Sequence, residues 1–91
     1  MARLELMTQE GIEAGTGASA AEPDTLFELG LMYASGRDVS TDYIEAHKWF
    51  NLAALKGNDA AKRYRAELAG EMSKAQIARA QKLAREWLSV H

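Results

Sequence analysis

The residues from Leu29 to Gly57 alternate bulky and very small side chains in an order that few folds accommodate. The residues that carry the pattern are Leu29, Gly30, Tyr33, Gly36, Asp42, Ala46, Trp49, Ala53 and Gly57. Within each half of the stretch they recur every three or four residues, which is the spacing of one helix face. The pattern predicts two helices that pack tightly against each other.

Helix boundaries can be read from residues that suit helix ends. The predicted helices span about residues 23–35, 43–56, 59–69 and 74–89. Pro23 fits a first helical turn, where its missing N–H would have no partner. Asp42 with Glu45, and Ser73 with Gln76, have the spacing of capping boxes. The sequence therefore predicts four helices separated by short turns.

The turns carry residues that accept unusual backbone geometry or end helices. Gly36, Gly57 and Gly70 are the predicted stops of the first three helices. Asp38 is compatible with a left-handed turn, and Asn58 or Asp59 is expected to cap the third helix.

Small and large residues predict how the helices meet. Gly30 should let the second helix approach the first, with Ala46 and Ala53 as the matching small surfaces. Tyr33 and Trp49 should fill the space between one helical pair and the next. The aromatic residues predicted to lie in the core are Tyr33, Trp49, Phe50, Tyr64 and Trp87.

Internal sequence similarity, here called the echo, suggests a second, degenerate repeat. Thr25, Leu29 and Tyr33 correspond to Ala60, Tyr64 and Leu68 at an offset of 35 residues, and Ala46, Trp49 and Ala53 to Ile77, Ala80 and Ala84 at 31. Self-similarity at such periods is typical of helical repeat proteins. The last two helices are expected to form a C-terminal cap.

The order of these residues over about residues 23–70 resembles the Sel-one-like repeat (SLR), an α-helical relative of the tetratricopeptide repeat. The last helix is also similar to the closing helix of short bacterial SLR proteins of the single-repeat type. The chain departs from the usual pattern at Asp38, where glycine is common, and at Thr25, where alanine is common. The resemblance implies an all-α fold, in which antiparallel helix pairs stack as a short α–α superhelix of one SLR and a capping helix pair.

The resemblance also implies a function and a surface. SLRs bind other proteins, so we expect a non-enzymatic adaptor or regulator that docks a protein partner through the first helix and the adjoining groove. In related superhelices the first helix of each pair lines the ligand-facing side. The residues that this points to are Glu28, Leu31, Met32 and Ser35.

Composition restricts the alternatives. The chain has no cysteine, which excludes a disulfide framework and thiolate zinc sites. No apolar run resembles a signal peptide or reaches the roughly 20 residues of a membrane span, so a cytoplasmic location is expected. Residues 1–21 are predicted to be a flexible segment with a possible short helix, which either docks as a cap or forms a tail, and residues 22–91 to be the helical domain.

Charge is unevenly distributed along the chain. Residues 1–45 hold nine acids and two bases, a net charge of −7, and residues 46–91 hold four acids and nine bases, a net charge of +5. Such asymmetry fits a charged partner, self-association of opposite halves, or simply solvated helix faces. Part of the positive charge on the last two helices should be neutralised at i,i+4, by pairing of Arg63 with Glu67 and of Lys82 with Glu86.

Residues suited to catalysis are sparse. His47 has no second ligand at metal spacing and is expected to face solvent or to pack, and His91 is terminal. No nucleophile elbow or phosphate-binding loop is present, so we predict no catalytic, metal-binding or cofactor-binding residues. The alternative functions are a self-assembling helical protein and, third, a nucleic-acid binder that uses the basic C-terminal helices.

Overall fold

A computed structural model describes residues 22–90, and these residues are helical with no strand. The helices are α1 (Pro23–Ser35), α2 (Tyr43–Leu55), α3 (Asp59–Ala69) and α4 (Lys74–Val90). The all-α prediction is confirmed, and each predicted helix boundary lies within one residue of the observed one. The expectations for residues 1–21 and for His91 fall outside the described residues.

The first two helices form an antiparallel pair tied at both ends. At one end the backbone N–H of Asp42 donates to the carbonyl of Tyr33 over 3.0 Å. At the other end the side-chain amide of Asn58 donates to the carboxylate of Asp24 over 3.1 Å. The end of α1 therefore lies beside the start of α2, and the start of α1 lies beside the end of α2.

Helix α2 is the centre of the domain, because α1, α3 and α4 all pack against it. Its buried residues point in several directions and comprise Ala46, His47, Phe50, Leu52, Ala53 and Ala54. The domain has two buried clusters, and α2 contributes to both. The first consists of Leu26, Leu52, Ala53, Ala54, Ala61 and Ala84, and the second of Ala46, Phe50 and Leu68.

Gly30 lets α1 pack tightly on α2, and the side chain nearest to it is Phe50. A Cβ atom placed on Gly30 would lie 2.5 Å from Cε1 of Phe50, far inside van der Waals contact. The Phe50 ring therefore occupies the space that the missing side chain leaves. Ala46 and Ala53 are fully buried on the same face of α2 as Phe50, at i, i+4 and i+7. The sequence prediction did not include the Phe50 ring, which lies nearest to Gly30.

The helix caps follow the predictions, with one exception. Ser73 and Gln76 form a reciprocal capping box, in which each backbone N–H donates to the other side chain. Asp42 accepts from the backbone N–H of Glu45 at 3.1 Å. The Glu45 carboxylate does not complete that box, since it accepts from the indole Nε1 of Trp49 instead, over 3.1 Å.

The turns use left-handed backbone where the sequence predicts it. Gly36 has φ of 76° and Gly57 has φ of 109°, and Asp38, with φ of 67°, is the one non-glycine residue with positive φ in the described chain. Gly70 ends α3 but keeps right-handed helical geometry. Asn58 caps α3 by accepting from the N–H of Ala61 at 2.9 Å.

The predicted core aromatics are not equally buried. Phe50 is fully buried, whereas Tyr33, Trp49 and Trp87 are half-buried. The rings of Trp49 and Trp87 meet edge to face at 5.9 Å, which fixes the C-terminal part of α4 onto α2. Tyr64 is 38% exposed, so the prediction that it belongs to the core was wrong.

Candidate functional site

The four residues predicted to contact a partner lie on one side of α1. Their spacing of i, i+3, i+4 and i+7 places Glu28, Leu31, Met32 and Ser35 on a single face. Glu28 and Ser35 are exposed, and Leu31 and Met32 are half-buried. The face thus combines polar side chains with two apolar ones that still reach solvent.

Leu31 and Met32 differ in what they touch. Leu31 packs against the second buried cluster. Met32 packs against neither buried cluster. A change at Leu31 would therefore disturb the core as well as the surface, whereas Met32 can be changed with less effect on folding.

The polar members of the face already have intramolecular partners. Glu28 pairs with Arg37 at 3.4 Å, and both side chains are more than half exposed. The hydroxyl of Ser35 donates to the backbone carbonyl of Leu31 over 2.8 Å. Exposed ion pairs of this kind contribute between roughly 0 and 1 kcal/mol, so a ligand can replace the Glu28–Arg37 contact at small cost.

An aromatic surface adjoins this face. The ring of Phe27 contacts that of Tyr64 edge to face at 5.1 Å, and it lies 5.7 Å from the ring of Phe50. Phe50 and Tyr64 are 5.6 Å apart. We call Phe27, Phe50 and Tyr64 the aromatic cluster. Because Tyr64 belongs to α3, the cluster joins the first helices of the two helical pairs.

Two side-chain rows lie where α1 and α3 meet. Phe27 and Leu31 are four residues apart on α1, and Tyr64 and Leu68 are four residues apart on α3, so each pair forms one row. Ring contact between Phe27 and Tyr64 brings the two rows together, and Leu31 packs against the cluster that contains Leu68. Sequence reasoning missed Phe27 and Tyr64 as groove residues. The 35-residue echo contained the signal, since it matches α1 with α3, but it paired Tyr64 with Leu29.

The basic residues of α3 and α4 are less neutralised than the spacing predicts. Neither Arg63 with Glu67 nor Lys82 with Glu86 forms an ion pair in the structure, so both expected i,i+4 pairs were wrong. Lys62 instead contacts Asp59 at 3.7 Å. Along residues 22–90 no carboxylate lies within 4 Å of the basic groups on α4. These groups are Lys74, Arg79, Lys82 and Arg85.

His47 packs inside the domain, which is one of the two situations expected for it. It is 3% exposed and is the one buried polar side chain of the described residues. Burial lowers the pKa of the imidazole, and the nearby positive charge of Arg65 lowers it further. Across residues 22–90, no group of three or more histidine, cysteine, aspartate or glutamate side chains is placed to hold a metal ion.

None of the helices in residues 22–90 has both the length and the apolar character needed to cross a bilayer.

A comparison with protein-family models gives one finding: residues 23–58 match the Sel1 repeat. The matched residues cover α1, α2 and the turn that ends at the α3 cap, which is the antiparallel pair described above. Searches among curated proteins and among solved structures gave no match.

Proposed function

We propose a protein-docking role on the premise that this chain is a Sel1-like repeat protein, with its repeat at residues 23–58. Sel1 repeats are generally protein–protein interaction modules and are typically not catalytic. In the finer proposal the chain is a non-enzymatic adaptor or regulator. A partner protein docks on α1 and on the groove that α1 forms with α3.

The observation that carries the proposal is the exposed part of the aromatic cluster. Tyr64 is 38% exposed although it contacts both Phe27 and Phe50. Tyrosine supplies a large contact area at low entropic cost and is enriched at interface hot spots. Beside it, Leu31 and Met32 offer partly exposed apolar surface on the same helix as the exposed Glu28.

The rigid attachment of α1 to α2 supports the same docking proposal. α1 is fixed to α2 by the Gly30–Phe50 contact and by hydrogen bonds at both ends of the pair. A surface held in this way is preorganised, so binding does not have to order it. The mechanism is docking onto a preformed helical face.

A surface variant of α1 tests the proposal. Met32→Ser combined with Glu28→Lys changes the exposed face while leaving both buried clusters intact. We expect capture of the native partner, measured by quantitative pull-down from the source cells, to fall at least about tenfold, which is about 1.4 kcal/mol. Circular dichroism should show unchanged helicity and thermal midpoint.

The matched control is on α4. Replacing Arg79, Lys82 and Arg85 by glutamine removes exposed charge without touching α1. This control should retain capture at physiological salt, where the Debye length is about 8 Å. If it abolishes capture while the α1 variant binds normally, the docking surface lies on α4 and the partner is acidic.

Self-association is the second candidate, and it is favoured by the α4 cations that form no ion pair within residues 22–90. Arg79, Lys82 and Arg85 have no carboxylate partner in the described chain, while the α1 side carries Asp24 and Glu28. Opposite faces of two copies could therefore attract each other. Sedimentation velocity over a concentration series at low and high salt decides the matter. Salt-sensitive growth of the sedimentation coefficient supports assembly, and a constant monomer contradicts it.

A further inference from the structure

His47 is a buried polar side chain with an unfilled hydrogen-bonding position. It lies on α2, is 3% exposed, and its Nδ1 atom has no hydrogen-bond partner within the described residues. An unpaired polar atom in the interior is destabilising, because it loses its hydrogen bonds to water and gains none in the protein. The ring is therefore tolerated at this position only in the form that is cheapest to bury, which is the uncharged one.

A positive charge on α3, that of Arg65, lies near enough to act on the ring. The guanidinium of Arg65 donates to the side-chain oxygen of Asn51 over 2.6 Å. Asn51 is one turn after His47 on α2, so this bond anchors Arg65 on the same side of the helix. An arginine side chain stays charged at every physiological pH. His47 thus cannot gain a proton without placing a second positive charge near the first.

Within residues 22–90, no carboxylate forms an ion pair with His47 or with Arg65. The hydrophobic side chains that α4 packs on the first cluster are Ala84 and Trp87. On α2 itself, Lys48 and Glu45 form their own ion pair at 3.0 Å.

We propose that His47 makes the contact between α2 and α3 acid-sensitive, because protonation of the buried ring beside Arg65 drives α3 away from α2. The fold then has two states in the mildly acidic range. In one, α3 is docked and the ring is neutral. In the other, α3 is released and the ring is charged and hydrated.

The direction of the pH dependence follows from the shift of the His47 pKa. Burial, and then Arg65, hold the pKa of the folded imidazole below its usual value of about 6.5. Below pH 6.5 the released state therefore binds a proton that the docked state does not. Stability is complete above that pH and falls as the pH drops through 6.5 toward the lower folded value. One proton allows the opening equilibrium to rise up to about tenfold per pH unit.

The decisive experiment measures stability against pH in the full chain and in His47→Leu, a variant that cannot titrate. Urea unfolding is followed between pH 7.5 and 5.5, a window in which carboxylates with ordinary pKa values near 4 remain ionised. We expect the unfolding constant of the original chain to rise several-fold across the window and that of His47→Leu to stay nearly flat. If His47→Leu keeps the same pH dependence, the proposal is overturned.

A second measurement uses the unaltered chain, so its result does not depend on how His47→Leu folds. The imidazole Cε1–H resonance of His47, distinguished from that of His91 by its absence in a spectrum of His47→Gln, is followed by NMR. We expect the folded resonance not to titrate near pH 6.5, and amide exchange in residues 61–68 to accelerate as the pH falls. A His47 resonance that titrates near 6.5 without faster exchange overturns the proposal.

Arg65→Met tests the role of the guanidinium. The methionine keeps apolar bulk but removes the charge, so the acid transition should move closer to that of an ordinary histidine and become shallower. An identical pH profile would show that Arg65 does not contribute and would overturn the two-charge mechanism.

Discussion

The two helical pairs of this domain are stabilised in different ways. In the α1–α2 pair, a glycine admits an aromatic ring, and the two ends are joined by hydrogen bonds. In the second pair, the buried side chains are mostly alanines: Ala61 with Leu68 on α3, and Ala80 with Ala84 on α4. Both α3 and α4 pack on α2 but make few contacts with each other. The repeat pair is thus a unit of its own, whereas the second pair depends on α2.

This difference explains why the surfaces of α4 and α1 differ in charge and in the exposure of their side chains. A helix that buries only small residues on one stripe keeps the rest of its surface for solvent, and α4 uses that surface for basic side chains. α1 is apolar over most of its circumference, so its exposed part is narrow, and Leu31 and Met32 are half-buried beside the exposed Glu28 and Ser35. The surface of α1 therefore combines polar and partly exposed apolar side chains, whereas the exposed surface of α4 is rich in charge.

The largest loss of stability is expected at Gly30, the glycine inside the repeat pair. Gly30→Leu should overpack the α1–α2 contact, because even a Cβ atom there collides with the Phe50 ring. We expect a loss of about 3 kcal/mol or more from the free energy of unfolding, at the upper end of overpacking effects. Chemical denaturation gives the value.

Gly70 provides the matched control in the second pair. It has right-handed geometry, and a Cβ there meets one backbone oxygen, that of Glu67, at 3.3 Å. Gly70→Ala should change stability by less than about 1 kcal/mol, and Gly30→Ala by about 1–3 kcal/mol. Equal effects at both positions would mean that the repeat pair is not the more tightly packed one.

The sequence predicted the helices well because their ends are decided locally. Pro23, Asn58 and the Ser73–Gln76 box act within one turn of the chain, and all of them appear in the structure as expected. Contacts between helices depend on rotation about the helix axis, which sequence spacing fixes only coarsely. For this reason the spacing did not show that the Phe50 ring, on the same face as Ala46 and Ala53, lies nearest to Gly30.

The candidate surface was predictable only in part. Residue spacing placed Glu28, Leu31, Met32 and Ser35 on one face, but it could not show that Leu31 also supports the second cluster. Tyr64 looked like a core residue because it falls on an apolar row, yet its exposure depends on how far α3 stands from α1. The expected pairing of Lys82 with Glu86 failed because i,i+4 spacing permits an ion pair without forcing long side chains to form it.

A moderate effect is expected at the helix caps. Asp42→Ala and Ser73→Ala each remove a side-chain acceptor from a helix start, at a typical cost of about 0.5–2 kcal/mol. The consequences should differ in extent. α2 supports every other helix, so Asp42→Ala should lower protection from amide exchange throughout the domain. Ser73→Ala should raise exchange mainly in the first turn of α4.

Residue-resolved hydrogen exchange distinguishes these outcomes. Asn58→Ala is a useful third variant, since Asn58 both caps α3 and bonds Asp24 of α1. A global effect of Ser73→Ala as large as that of Asp42→Ala would contradict the view that α4 depends on α2 and not the reverse.

The smallest expected effect concerns surface ion pairs, one in each pair of helices. Glu28→Gln breaks the contact with Arg37 on the repeat pair, and Lys62→Gln breaks the contact with Asp59 on α3. Both pairs are largely exposed, so each change should alter the free energy of unfolding by less than about 0.5 kcal/mol. The difference should diminish further in 1 M salt, where the Debye length is about 3 Å. The Glu28 contact spans nine residues and reaches the turn after α1, whereas the Lys62 contact lies within one turn of α3. If Glu28→Gln costs more than 1 kcal/mol and the loss persists in high salt, the turn that joins α1 to α2 depends on this ion pair, and the stability of the repeat pair does not come from its packed interior alone.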